Sequence, residues 1–294
     1  MKVGLVVLNY NDWHSTIQQI ERLKECSAID RFVVVDNASP NESYTRLRER
    51  CDGTWDLIQT GHNGGYGSGN NAGIQFLIER YGVDIVGIAN PDAHFDNFFV
   101  EIIKNDFQHF PEYALLSGVE MNADGIPSTG GFWRDNAWIE LSRCNYITII
   151  PFLYKRIKRK IIGGAGYVQD MLQTHRAVFE VQNVVGSLFF VRADIMQRIG
   201  GFDENVFLYK EEDILAQKIR KIGGKLGIDP QISFVHAGSV SINSVLNWKA
   251  KQRIKDESDL YFFREYVTRK RAWLLLFRIN LTIRWVLYYL KKRN

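Results

Sequence analysis

Cysteine and proline are scarce in this 294-residue chain, with three of the first and six of the second. Cys26, Cys51 and Cys144 are odd in number and lack Cys-x-x-Cys spacing. That excludes a disulfide framework and a zinc cluster, and points to a reducing, cytoplasmic setting. There is no internal repeat and no low-complexity segment, so a solenoid or a disordered chain is excluded too. Acidic residues are missing from Tyr266 onward, where Arg269, Lys270, Arg271, Arg278, Arg284, Lys291, Lys292 and Arg293 gather. A basic end of this kind suits phosphate-rich company, and by charge alone a membrane surface or a nucleic acid would fit. Long apolar runs are also missing. The opening Val3-Gly4-Leu5-Val6-Val7-Leu8 is too short for a signal peptide and reads as a buried strand. The segment from Trp273 to Leu290 has a bilayer's length but carries Arg278 and Arg284. Each mid-span arginine costs about 2.5–3.5 kcal/mol to insert, which argues against a spanning helix. Its basic residues fall on opposite sides, so it reads either as a helix packed on the protein or a second subunit, or as one lying at a membrane surface.

What is present is β-α alternation. Strands are expected at 3–8, 31–35, 55–59 and 84–88, and helices near 13–25, 42–50, 70–80 and 97–109. The fold class is therefore α/β, with a mostly parallel central sheet flanked by helices. In such sheets ligands bind at the carboxyl ends of the strands. Polar residues sit at three of those ends: Asn9-Tyr10-Asn11, Asp36-Asn37-Ala38-Ser39 and Asn90-Pro91-Asp92. Beyond residue 110 the pattern loosens. Gly130-Gly131-Phe132-Trp133, a basic run from Lys155 to Lys160 and a loop-like Gly163-Gly164-Ala165-Gly166 occupy that stretch. Regularity returns with a strand near 181–191, a helix from Ala193 to Ile199, an acidic-headed helix 211–222, and short strands at 225–228 and 232–236.

Several motifs carry two readings. The run from Asn63 to Gly73 could bring backbone close to a phosphate at a helix N-terminus, or could simply be a tight loop. Within it, Gly67-Ser68-Gly69-Asn70-Asn71-Ala72 satisfies the dinucleotide fingerprint, but outside the first β-α turn where that fingerprint belongs. Asp36 reads as a ligand for ribose or base, or as a turn cap. Asp92 and His236 each read as a cation ligand, or as a loop acid and a core histidine. Glu211, Glu212 and Asp213 could supply a general base, or could compensate a helix dipole that would keep them ionised. An aspartate at a strand end, a later acidic cluster and a histidine are together the parts of a site for a divalent cation and a proton acceptor.

The chain resembles the inverting GT-A glycosyltransferases of family 2, in particular their bacterial rhamnosyltransferase-like branch. The resemblance runs in order from about residue 3 to 241. It is carried by Leu8-Asn9-Tyr10-Asn11, Val34-Val35-Asp36-Asn37-Ala38-Ser39, Asn63 to Gly73, Asn90-Pro91-Asp92, Gly186 to Arg192, Gly200 to Glu204, Phe207 to Asp213 and His236 to Ser241. It implies a GT-A (Rossmann-like) domain over 1–242, with a nucleotide-sugar half at 1–110 and an acceptor half at 111–242. A helical basic C-terminal extension follows at 243–294. It implies donor binding by Asn9, Asn11, Asp36, Asn63, Gly65, Asn71, Asn90 and Asp92, and a Mg²⁺ or Mn²⁺ ion held by Asp92 and His236. Asn90 replaces the first acid of the family's metal motif, which leaves one carboxylate there. Asp203 and Glu204 are expected to face the acceptor. The base is expected at Glu212, with Glu211 next and Asp213 third. The implied partners are a nucleoside diphosphate sugar, dTDP-rhamnose first and UDP-sugars after it, and a lipid-linked or growing polysaccharide. A contact with the inner face of the cell membrane through the basic C-terminus and a homodimer are further expectations, and no nucleic acid is expected. Two other readings remain open: an NAD(P)-dependent oxidoreductase, from the glycine run, and a non-catalytic nucleotide- or membrane-binding scaffold, from the basic end and the incomplete metal motif.

Overall fold

A computed structural model of the chain describes residues 1–127, 178–236 and 247–291. The aromatic, basic and glycine-rich features between 130 and 166, Cys144, and the segment from Ala237 to Ser241 lie outside the described residues.

The first half follows the expected alternation. Strand β1 (Val3–Asn9) leads to α1 (Trp13–Lys24), β2 (Arg31–Asp36), α2 (Ser43–Arg48), β3 (Asp56–Gln59), α3 (Tyr66–Tyr81) and β4 (Ile85–Ala89). Asp12 and Asp96 cap the helices after them by accepting from the Ser15 and Phe99 amides, which satisfies amides that a helix start leaves unpaired. A two-residue β5 (Ala93–His94), α4 (Asn97–His109) and β6 (Tyr113–Met121) follow. After the undescribed segment come β7 (Phe179–Val181), β8 (Leu188–Arg192), α5 (Ala193–Ile199), α6 (Glu211–Lys221) and β9 (Lys225–His236). The chain ends in α7 (Trp248–Phe262), a π-helical turn (Phe263–Val267) and α8 (Arg271–Lys291).

The strands form one sheet in the order β3-β2-β1-β4-β8-β6-β9-β5, with β7 beside β9. The longest ladders, β1 with β2 and β6 with β9, are parallel, as is β1 with β4. β8 enters antiparallel between β4 and β6. Strands buried on both faces are apolar throughout. Val3, Leu5 and Val7 meet α1, α2 and α4 on one side, and Val6 meets α3 on the other, the side that α5 and α6 also cover.

Four differences from the expected elements have local causes. α3 begins at Tyr66, inside the glycine run, because Gly69 and Gly73 form the face that lies on the sheet. A Cβ at either would collide with Leu8, or with Val6 and Val35. β6 was not expected, since Tyr113–Met121 is buried from its first residue through Glu120 and shows no alternation. The strand expected over 181–191 is two strands, β7 and β8, which pair with different neighbours. The two strands expected at 225–236 are one, with a register shift opposite Gly118 and Val119 that accommodates Pro230. A proline within a ladder is tolerated at such an irregularity.

Candidate active site

The carboxyl ends of β4, β6 and β9 lie together, and the start of antiparallel β8 joins them. In the ladder between β5 and β9, Ala93 is paired with His236, which places Asp92 beside the imidazole. Asp92 Oδ2 is 3.3 Å from His236 Nε2, and His236 Nδ1 is 2.8 Å from Glu120 Oε1. Glu120, at the end of the unexpected β6, also accepts from Ser187 Oγ at 2.9 Å. Burial works against a charge on His236, but its hydrogen bonds to Asp92 and Glu120 outweigh that and lift its pKa to about 9.

Gly186 and Ser187 link this cluster to the acidic helix head. The Ser187 carbonyl accepts from the Asn90 amide at 2.8 Å. The Glu212 side chain lies against Gly186 in the space a Cβ would need. Tyr66, at the start of α3, donates to the Gly186 carbonyl at 2.7 Å and stands 3.4 Å from Asn90 Oδ1. Burial, then the negative charges of Glu212, Glu211 and Asp92, hold the Tyr66 hydroxyl well above its usual range. One buried phenol thus feels carboxylates from two distant parts of the sequence.

The three acids at the head of α6 differ in environment. Asp213 accepts from Asn183 Nδ2 at 2.6 Å and from Lys210 Nζ at 2.8 Å. Glu211 is 3% exposed, and its Oε1 has no hydrogen-bond partner. Burial, then the neighbouring Glu212, hold its carboxyl well above the usual range. Burial raises Glu212 to about 7. The expectation that the helix dipole keeps these groups ionised is therefore corrected: desolvation outweighs the dipole. Glu211 is thus pushed toward its neutral form, Glu212 is poised near 7, and Asp213 is engaged by a cation and an amide.

The residues expected to hold the nucleotide are arranged differently. Asp36 is fully buried and accepts from Asn9 Nδ2 at 2.7 Å, Gln59 Nε2 at 2.9 Å and the Ser39 amide at 3.1 Å. Asn9 is also fully buried, and its Oδ1 accepts from Thr16. The pair ties the β1 and β2 ends together and caps the turn at Ser39, so its polar atoms face protein. Asn11 and Ala38, with φ of 62° and 53°, form the left-handed corners of the two loops. Asn63 Oδ1 accepts from Asn37 Nδ2 and the Gly65 amide. Gly65 passes so close to the Phe207 carbonyl that only glycine fits, and the Tyr66 amide donates to that carbonyl. The glycine run is thus a seam between α3 and the loop before α6, with the Gly67 face against Phe202. Asn71 is bound to the Phe202 amide and carbonyl and to Glu204 at 2.8 Å. Asp203 Oδ2 accepts from Tyr261 at 2.9 Å and Tyr266 at 2.6 Å, while Oδ1 binds Asn205. Asn71, Asp203 and Glu204 therefore secure loops and the C-terminal helices in this structure.

Asp92 and His236 suit a divalent cation. Their facing atoms are buried, and their 3.3 Å separation matches neighbouring ligands of a small octahedral ion, roughly 3 Å apart for bonds near 2.1 Å. A cation there would displace the proton that the two carboxylates hold on the ring. Among the described residues no group of three or more His, Cys, Asp or Glu forms a metal cage. Two protein ligands suit an ion that takes its other ligands from phosphates and water. Glu120 and Tyr66 were missed by the sequence reading. Glu120 lies in a strand without a periodic signal, and Tyr66 in a run that reads as glycine-rich loop.

No family model matches the chain. The hexosyltransferase Agl10 of low-salt glycan biosynthesis in Haloferax volcanii is 23% identical over 241 residues, covering 80% of this chain and 66% of that protein. The N-acetylglucosaminyl-diphospho-decaprenol L-rhamnosyltransferase of Mycobacterium tuberculosis is 24% identical over 204 residues, covering 61% of this chain and 58% of that one. The chain thus spans less than two thirds of the length of either relative. Among solved structures, GalNAc-T7 with UDP, GalNAc and Mn²⁺ aligns with a TM-score of 0.60 at 14% identity, over 90% of this chain and 50% of that one. The mannosyltransferase PcManGT of Pyrobaculum calidifontis, with GDP-Man and Mn²⁺, aligns with a TM-score of 0.54 at 14% identity, over 95% and 73%. The chain shares the fold of these GT-A structures, and the sequence relatives it matches are glycosyltransferases.

Proposed function

We propose that this chain transfers a sugar, with inversion, from a nucleoside diphosphate sugar to a hydroxyl of a lipid-linked or growing surface glycan, with dTDP-rhamnose as the first-choice donor. The carrying observation is that Gly186-Ser187 touches both halves of the site: Glu212 lies on Gly186, and Ser187 binds Glu120 and Asn90. A proton acceptor and a cation-binding pair then face one reaction space. The donor and acceptor classes are supported by the rhamnosyltransferase and hexosyltransferase relatives.

Asp92 and His236 would hold Mg²⁺ or Mn²⁺, whose charge would neutralise the diphosphate leaving group. Glu120 accepts from the His236 ring on the side away from Asp92 and fixes the orientation of Nε2. Glu212 takes the proton of the acceptor hydroxyl as that oxygen bonds to the anomeric carbon. The bond from that carbon to the diphosphate oxygen breaks, and its electron pair leaves with the phosphate. Glu211 is the more deeply buried of the two glutamates, which disfavours its charged form, and Asp213 is held by Lys210 and Asn183. Of the three acids, Glu212 is the base.

The glycine run argues against a dinucleotide oxidoreductase, because Gly65 and Gly67 are covered by Phe207 and Phe202 rather than open to a pyrophosphate. Glu212→Gln is expected to reduce transfer by about 10²–10⁴-fold while nucleotide binding, measured by calorimetry, is unchanged. Asp213→Asn should retain far more activity. Full turnover by Glu212→Gln would refute the assignment.

A further inference from the structure

α8 is amphipathic in a way the sequence conceals. Arg284, which breaks the apolar pattern on paper, is turned inward onto Asp256 of α7, and Trp285 Nε1 donates to the same carboxylate at 2.9 Å. Phe277, Leu274 and Leu281 on that side pack with Phe263 and Leu260. On the opposite side Leu275, Leu276, Ile279, Val286 and Leu290 are 60%, 54%, 46%, 51% and 55% exposed. Their spacing places them on one face. Arg271 and Arg278 flank it and are exposed, and no acidic residue follows Glu265. Near the C-terminal end of this face, Trp248 stacks on Tyr288 at 4.4 Å, Tyr289 is half exposed, and Lys249 lies over both tyrosine rings.

We infer that this face of α8 docks on an anionic lipid bilayer, lying in its plane. A membrane surface is the occupant chosen because the apolar residues supply the buried face, arginines line its edge, and tryptophan and tyrosine gather at one end, as expected at a headgroup boundary. No described helix is long and apolar enough to cross a membrane, so the contact is peripheral. The inference rests on the proposed function only for its purpose, which is to hold the active site near a lipid-linked acceptor.

The test is flotation of the full chain, without sugars or cation, on vesicles of equimolar phosphatidylglycerol and phosphatidylcholine, and on phosphatidylcholine alone. The wild type is expected to float with the anionic vesicles, and to be released by high salt as the arginine contribution is screened. Leu276→Glu with Ile279→Glu should lower partitioning at least about tenfold, with its circular dichroism spectrum and melting temperature retained. Arg271→Glu with Arg278→Glu should abolish the preference for anionic lipid. Wild type remaining with the soluble fraction, or the Leu276/Ile279 variant floating equally well, would overturn the inference. So would a wild-type dimer in light scattering that becomes a monomer in that variant without any vesicle binding, because the face would then belong to a second copy. Because no donor is present, failure here leaves the sugar-transfer reading standing, and failure of transfer leaves this one standing.

Discussion

At the scale of single residues, burial of Glu212 sets how the reaction should respond to pH. Its pKa of about 7 means that half of the base is protonated at neutrality. A protonated carboxyl cannot accept the acceptor's proton, so the rate should rise with pH through about 7 and then level. Below that point the carboxylate fraction falls about tenfold per pH unit. Rates at subsaturating donor and acceptor, which report the groups of the free protein, should trace this limb, and a flat kcat/KM profile from pH 5 to 8 would be incompatible with Glu212 as the base. The residue types were legible in the sequence: Asp92, His236 and the acidic triplet stand at strand and helix ends, where each also admits a loop, core or dipole reading. The resemblance ranks Glu212 first, but the sequence holds no physical ground for that order: the three acids are separated by burial and by Lys210 and Asn183, which approach from elsewhere. The same limit applies to Asp36, which alone reads more readily as a cap than as a ligand, and which accepts hydrogen bonds from Asn9, Gln59 and Ser39.

At the scale of elements, the strands of the first half were read to within a residue or two, because buried parallel strands followed by capped helices leave local signals. β6 left none, and Glu120 was lost with it. The loop before α6 shows why local reading ends there. Tyr209 and Lys210 are both left-handed, with φ of 73° and 74°, a conformation costing non-glycine residues about 1–2 kcal/mol each. α7 holds them in place: Ser258 Oγ donates to the Leu208 carbonyl at 2.8 Å, Asp259 lies 3.8 Å from Lys210 Nζ, and Phe262 lies under that ammonium. The C-terminal extension therefore aims α6, the helix that carries the proposed base, as well as following it in sequence. Ser258→Ala with Asp259→Asn should loosen this turn and lower kcat about tenfold, the order expected when a reacting group is displaced by less than 1 Å, with donor KM little changed. A purely structural role would lower the melting temperature while kcat per folded molecule stayed constant.

At the scale of the whole molecule, the site is assembled by topology. β8 and β6 are inserted between β4 and β9, so residues numbered 92, 120, 187, 212 and 236 meet at one edge although no two share a local motif. Sequence reading can place each at the end of an element but cannot order the strands. The consequence is an excess of carboxylates where the proposed donor's diphosphate would bind: Asp92, Glu120 and Glu212 lie in the same region, opposed by His236 and, beyond Asp213, Lys210. A diphosphate brought there alone meets like charge, whereas a divalent ion on Asp92 and His236 reverses the local field. Nucleoside diphosphate and cation should then bind interdependently. A ligand at 100 times its dissociation constant stabilises the folded state by about 2.7 kcal/mol, which for a chain of this size corresponds to a rise of roughly 5 °C in melting temperature. Differential scanning fluorimetry with dTDP or UDP is expected to show this rise with Mn²⁺ present and little change with nucleotide and a chelator. Asp92→Asn should abolish the synergy, and should also lower the unliganded melting temperature near neutral pH, because the His236 imidazolium loses its 3.3 Å carboxylate partner. An equal nucleotide shift with and without the ion would mean that the carboxylates do not face the diphosphate, and the assignment of Asp92 and His236 to a cation would fall with it.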